Sequence, residues 1–325
     1  MPNDPLTRAS LLIPVLALLV QAASWVRPFQ AGTSPWNTLS SRGRTILVAT
    51  FVVLALYSVF FAMRYVIPSP VSKSPIDHIK RRNEIVIGVS YNAFPFGHKP
   101  SDTDPVQGFD VDIGKEIAKA IFGDFGRARF VRVEGNNRFS PEFLQKNGVD
   151  IVISTMSINV LTDDRHKTMA FSEPYYTAGQ RIVAPKDSAI FDVSDLAGKY
   201  VCVHEDENNA NLRGAARDVN SIPVKNTKRE CLGDLQNRTI DAISSDEWVS
   251  LSIIKEDPNL ELKGPPLTKD PYGIAVRKDT NNYWGLLNFI NAELTKMKSD
   301  GRWEGIYNTH IRPLSHEDAA MHSCG

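Results

Sequence analysis

The residues able to do chemistry in this chain are arranged for binding rather than for breaking bonds. Nucleophilic hydrolysis needs a serine or cysteine with a histidine and an acid placed to move its proton. Metal chemistry needs ligands at paired spacing, and phosphate handling needs a glycine-rich cradle. The sequence contains no Ser-His-Asp ordering, no paired metal-ligand spacing, no P-loop and no GxGxxG. His204 and Glu205 are adjacent and have the types of an acid–base pair, but a lone histidine beside acids is more often a solvated turn residue. Thr155 and Ser157 are more informative. They follow the run VDIVIS directly, at the carboxyl end of a strand, which is where open α/β sheets meet their ligands. Without a ligand, the same two residues would serve as loop caps. No cofactor is implied by any of these residues.

The elements that must position them alternate. EIVIGVS (84–90), VDIGKEIAKAIFG (111–123), ARFVRV (128–133), PEFLQKNG (141–148) and VDIVIST (149–155) read β-α-β-α-β, which calls for a largely parallel sheet with helices on its faces. A second set follows, with KYVCV (199–203), helices near 210–218 and 228–236, and TIDAISSD (239–246). The strand PYGIAVRK (271–278) and helices over 283–299 and 300–307 belong with the first set. The expected fold class is therefore α/β with two lobes, the second inserted into the first. Lobe 1 takes residues 76–180 and 272–312, lobe 2 takes 181–271, and 313–325 forms a tail. Two crossings serve as hinges, placed near 178–185 and 269–275, and the cleft between lobes is the expected ligand site. Lysine plus arginine and aspartate plus glutamate balance at 37 each, so no polyanion such as nucleic acid is an expected partner. A monomer is expected.

The N-terminal region differs in kind. Residues 45–67 are apolar, with Arg64 as their sole charge, and at about 1.5 Å per residue they match a hydrocarbon layer of about 30 Å. A transmembrane helix is expected there, followed by a Pro/Ser-rich linker over 68–75 (PSPVSKSP numbers 68–75). The shorter apolar stretch 11–26 carries Pro14 and Gln21 and fits a second span, an interfacial helix or part of a leader. Arg27, Arg42 and Arg44 place the segment between the two apolar stretches on the cytoplasmic side and everything after 67 outside, so residues 1–44 form a cytoplasmic or first membrane segment and the anchor meets the lipid bilayer. Cys202 and Cys231 are then either a disulfide, closing about 30 residues and contributing roughly 3.5 kcal/mol, or two buried thiols.

Several blocks occur in a fixed order: NAFPFGH (92–98), GFDVDIGKEIAKAIFG (108–123), GVDIVISTMSI (148–158) with TDDR (162–165), FSEPYY (171–176), DLAGKYV (195–201) and IDAISSD (240–246). In this order they resemble the polar amino-acid family of periplasmic solute-binding proteins, most nearly its actinobacterial glutamate-binding branch, over roughly residues 80–310. The resemblance implies a two-lobed periplasmic-binding-protein fold that closes on an amino acid. A zwitterion asks for a guanidinium and hydroxyls at its carboxylate and for a carboxylate at its ammonium. On the matching positions Arg165 is the carboxylate-binding arginine, assisted by Thr155 and Ser157, and Asp246 is the ammonium-binding acid. Asp241 matches a structural aspartate. Phe94, with Tyr91 as the alternative, matches the aromatic that covers the solute side chain, and Arg138 resembles an arginine that meets a second carboxylate. The branch also contains a bridged subset whose cysteines match Cys202 and Cys231.

Two departures accompany the likeness. The segment SINVLTDDR (157–165) is about three residues longer than the family pattern, and HEDENNAN (204–211) replaces a turn that usually offers donors to the carboxylate. An acid about 4 Å from an anion costs about 4 kcal/mol at an effective dielectric near 20, so these acids point away, pair, or face another ligand, with Asn208 as a substitute donor. Three functions follow in decreasing order of support. The first is a binding subunit for an ABC permease in the membrane, the second a receptor ectodomain, and the third a dehydratase-like enzyme on the same scaffold.

Overall fold

The computed structural model describes residues 75–158, 165–203, 206–216, 218–223, 228–280 and 282–323, together with 40–43, 45–46, 49–50, 53–54 and 57–58. The chain divides at residue 70 into two compact units. In the first unit, described residues from 41 to 58 are helical. Ile46, Val53, Leu54 and Tyr57 are exposed on that helix. Its hydroxyls turn inward on the backbone: Thr45 donates to the carbonyl of Ser41 at 3.1 Å, Thr50 to Ile46 at 2.8 Å and Ser58 to Leu54 at 2.5 Å. No helix among the described residues is long and apolar enough to cross a membrane. Most of the expected span 45–67, and all of 11–26 and 68–74, lie outside the described residues.

The second unit opens with α1 (Pro75–Arg82), β1 (Ile85–Val89), the hairpin strands β2 (Asn92–Ala93) and β3 (Gly97–His98), α2 (Phe109–Phe122), β4 (Ala128–Arg132), α3 (Pro141–Lys146), β5 (Ile151–Val152), α4 (Arg165–Thr168) and β6 (Met169–Phe171). The chain crosses on β7 (Tyr176–Ala178). It then builds β8 (Gln180–Pro185), β9 (Tyr200–Val203), α5 (Asp206–Ala215), β10 (Asn220–Pro223), α6 (Lys228–Gln236), β11 (Ala242–Asp246), α7 (Glu247–Glu256) and β12 (Leu260–Lys263). It returns on β13 (Asp270–Tyr272) and closes with β14 (Ala275–Arg277), α8 (Tyr283–Ser299), α9 (Arg302–His310) and α10 (Arg312–Ser315).

Two five-stranded sheets of like topology result, ordered β4-β1-β5-β14-β6 and β10-β9-β11-β8-β12. In each, three strands run parallel, and an antiparallel strand, β14 in the first and β8 in the second, joins the fifth to them. An aspartate sets the register in both. Asp150 donates its amide to the Val86 carbonyl at 2.9 Å and accepts the Val86 amide on its side chain at 2.8 Å. Asp241 does the same with Tyr200, at 2.8 and 2.9 Å. The period-2 pattern of each strand then decides the faces. Ile85, Ile87 and Val89 of β1 join a core with α2, α8 and α9, while Val86 packs on the other face with Leu144 and Met169. In β9, Val201 and Val203 pack with Leu212 and Ala216 of the α5 side, and Cys202 packs against Cys231 and Leu235 of α6. Cys202 and Cys231 form a disulfide with Cα atoms 5.8 Å apart, tying α6 to β9.

Gly108, which opens the GFDVD block, is required by sterics. Its φ is +133°, and a Cβ would sit 2.3 Å from the Phe96 carbonyl oxygen.

Two expectations need correction. Most of 178–185, read as a hinge, is β8, a buried strand of the second sheet. The crossing is instead a two-stranded ribbon, β7 paired with β13, with Tyr176 opposite Tyr272 and Ala178 opposite Asp270. The charge of Arg181 disguised the strand, and its burial is compensated by Glu317 from the far end of the chain. Residues 313–323 are likewise no loose tail, since Ser315, Ala319 and His322 are buried.

Candidate functional site

The like topology of the two sheets puts Thr155 and Asp246 at corresponding places. Each lies five residues after its register-setting aspartate, at the carboxyl end of a central strand. In the first lobe the loop after β5 is held under strain. Thr155 has φ +44°, an unusual backbone for a β-branched residue, and costs about 1–3 kcal/mol when adopted outside glycine. What holds it is Asp110, in the first turn of α2. Its carboxylate accepts the Thr155 amide at 3.2 Å and the Tyr175 hydroxyl at 2.8 Å. Asp110 is fully buried, and that burial pushes its carboxyl up to about 7. Tyr175 is fixed in turn by Trp303, whose indole N–H donates to the Tyr175 carbonyl at 2.7 Å.

Arg138 comes to the same loop from the short helical turn Gly135–Phe139. One guanidinium nitrogen donates to the Ser154 carbonyl at 3.2 Å, and the group lies 4.8 Å from the Phe139 ring centroid. Ser157 bridges to Tyr272 of the crossing ribbon, and the neighbouring bonds, Ile158 amide to Pro271 carbonyl at 2.9 Å and Gly273 amide to Met156 carbonyl at 3.0 Å, sew the loop to the hinge.

Asp246 ends β11 and precedes α7, and its side chain makes no capping hydrogen bond to that helix. The residue is half-buried. Tyr272 registers how the two lobes converge. Burial, then the charges of Asp246, Glu247, Asp270 and Asp110, raise its hydroxyl well above the usual tyrosine range. A single ribbon tyrosine thus feels acids from both lobes.

The aromatic residues divide. Phe94 sits in the hairpin between β2 and β3, edge-on to His98 with centroids 4.7 Å apart, and that hairpin packs against α7 of the other lobe. Tyr91 points elsewhere, its hydroxyl 3.5 Å from the Phe130 carbonyl of β4. Arg165 opens α4, but its side chain lies outside the described residues, as do 159–164. The side chain of Asn208 and both His204 and Glu205 lie outside them too. Helix α5 starts at Asp206, four residues before the expected 210, which puts Asp206 and Glu207 in a first turn where the helix dipole favours acids. Among the described residues no group of three or more His, Cys, Asp or Glu is placed to hold a metal.

Sequence reasoning missed Asp110, Tyr175, Tyr272 and Glu247. Asp110 stood in the GFDVD block, and a signal was available: an acid facing a core of apolar residues at helical spacing needs partners. Tyr175 and Tyr272 lie in aromatic runs that read equally as core.

Comparison with known proteins places this architecture. Residues 85–313 match the family of bacterial extracellular solute-binding proteins, family 3. The chain is 35% identical to the ABC transporter glutamine-binding protein GlnH of Bacillus subtilis over 242 residues, 74% of this chain and 85% of that one. It is also 35% identical to the glutamine-binding protein of Geobacillus stearothermophilus over 210 residues, 64% of this chain and 78% of the relative. The solved structure of an ancestral cationic amino acid solute-binding protein is 28% identical, with a TM-score of 0.61 over 73% of this chain and 100% of the other. With the matched segment covering both sheets and the ribbon between them, the chain belongs to the bacterial extracellular solute-binding proteins, family 3.

Proposed function

We propose that this protein captures a polar amino acid, of the glutamine or glutamate kind, between its two lobes and presents it to an ABC importer in the membrane. The observation that carries the reading is that Tyr272 of the ribbon feels both Asp246, at the end of β11, and Asp110, which holds Thr155 after β5, while Ser157 of that same loop bridges to it. In this reading the Asp246 carboxylate meets the ammonium, and the strained loop with Arg165 meets the carboxylate. We assign Arg138 and Phe94 to the side chain of the solute, and the glutamine-binding relatives support that choice of solute. A ligand that touches both lobes favours their closed arrangement because only there are both sets of contacts made. No step of bond chemistry is assigned to the site.

In this reading the apolar stretch 45–67 holds the protein at the membrane, with the lobes on the extracytoplasmic side. Supporting this are the exposed apolar side chains at 46, 53, 54 and 57 and the internally bonded hydroxyls of Thr45, Thr50 and Ser58, an arrangement suited to a medium without water. The same anchor favours a second reading, a receptor that reports occupancy to a membrane partner. Co-purification with a permease and ATPase supports delivery, and co-purification with a kinase supports sensing.

Isothermal titration of the detergent-solubilised chain with the standard amino acids tests the proposal. Micromolar or tighter binding of glutamine, glutamate, asparagine or aspartate is expected, abolished by Asp246→Ala and weakened at least tenfold by Arg165→Ala. Absence of heat with every amino acid overturns it.

A further inference from the structure

The segment after α10 is built into the hinge. Arg181 of β8 and His322 are both buried, and so is Glu247, the residue after Asp246. Glu317 receives a two-pronged bond from the Arg181 guanidinium, with Nη1 at 2.9 Å from Oε2 and Nη2 on Oε1, and its Oε2 lies 3.1 Å from His322 Nε2. His322 Nδ1 is 2.8 Å from the Thr177 carbonyl and 3.7 Å from Glu247. The Thr177 amide donates to the His322 carbonyl at 2.9 Å. The imidazole packs against two rings, Tyr176 at 5.0 Å and Tyr307 at 5.5 Å, which are themselves 6.5 Å apart, and Tyr176 donates its hydroxyl to Glu247.

These contacts belong to different bodies. Tyr307 and Ser315 continue from lobe 1, Tyr176 and Thr177 are the crossing ribbon, and Arg181 and Glu247 are lobe 2. Charge holds them together. Burial alone would raise Glu317, but its bonds from His322 and Arg181 outweigh this and keep it ionised, at about 2. Burial alone would lower His322, and Glu317 and Glu247 raise it instead. The lobes are apposed in this arrangement, because Leu251 of α7 joins the core of lobe 1 and Trp248 packs against both cores.

We propose that residues 315–323 form a clasp across the hinge that favours the apposed lobes and so tightens capture of the solute. A segment outside the cleft can act this way because it adds contacts to one lobe arrangement without touching the solute. Its effect on affinity is the difference in clasp contacts between open and closed states. The affinity arm of the test rests on the amino-acid-binding reading given above.

The full chain in detergent micelles is compared with two variants. One ends at Ser315. The other is Arg181→Met with Glu317→Gln, which removes the ion pair without stranding a buried charge and therefore keeps the lobe folded. Hydrogen exchange is followed over 91–99 and 247–256, the facing interlobe segments, with β1 as reference, and L-glutamine is titrated in parallel. In the double variant, exchange in both interlobe segments is expected to quicken at least tenfold while β1 is unchanged, and the glutamine Kd to rise at least tenfold. Faster exchange confined to 312–323 overturns the clasp, as does a Kd shifted less than twofold. If the wild-type chain takes up no glutamine, the binding reading is lost and the exchange result alone decides the clasp.

Discussion

Thr155 and Asp110 show how a binding loop is held in a shape it would not choose. The positive φ of Thr155 is unfavourable for its branched side chain, and the Asp110 carboxylate holds it by accepting its amide. The arrangement has a pH signature. Burial raises Asp110 from its ordinary value near 3.8 to about 7, so the folded state binds a proton more tightly than the unfolded chain. This contribution to stability is complete below pH 3.8 and is lost as pH rises through about 7, amounting to roughly 4 kcal/mol at about 1.4 kcal/mol per pH unit. Asp110→Asn removes the titration and still offers an oxygen to the Thr155 amide. Its unfolding free energy relative to wild type, from denaturant titration, should therefore climb between pH 4 and pH 8 by an amount of that order. Parallel pH profiles for the two proteins would contradict the assignment.

At the scale of elements, the strands were legible because their patterning is two-fold periodic and starts with an aspartate. VDIVIST and IDAISSD each place Asp150 or Asp241 just before the strand and a candidate ligand group five residues on, and the structure uses both in the same way. The strand β8 was not legible, since Gln180 and Arg181 look like surface residues until Gln180 is found bonded to Ser244 and Arg181 to Glu317. Helix α5 begins early because acids in its first turn suit the dipole, a preference that the family pattern of a donor-rich turn concealed. The cysteine pair was readable only as two alternatives from spacing, and the disulfide links β9 to α6 across a sequence separation of 29. Cys202→Ser with Cys231→Ser should lower the unfolding free energy by roughly 3.5 kcal/mol in the chain-entropy picture. An unchanged denaturant midpoint would show that the bridge adds nothing to the fold.

At the scale of the whole molecule, two sheets of one design are joined by the ribbon β7–β13, and the chain's last residues return to that joint. Nothing local in the sequence announces the return: Glu317 and His322 lie in a polar stretch, and their partners Arg181 and Glu247 are 136 and 75 residues away. The proposed anchor is tested at this scale as well. If residues 45–67 span a bilayer, the protein will stay with membranes through an alkaline carbonate wash and leave them when 1–70 is deleted, and full release by the wash would refute the anchor. The central claim is that opposite lobes hold opposite ends of one zwitterion, and it is tested most directly by pairing a change in the protein with a change in the solute. Titrate wild type and Asp246→Asn with L-glutamine and with glutaramic acid, which is glutamine without its ammonium group. The account expects Asp246→Asn to weaken glutamine at least a hundredfold, about 2.7 kcal/mol, while the two proteins bind glutaramic acid within about threefold of each other. Equal losses for both solutes would contradict it, because Asp246 would then not be meeting the ammonium.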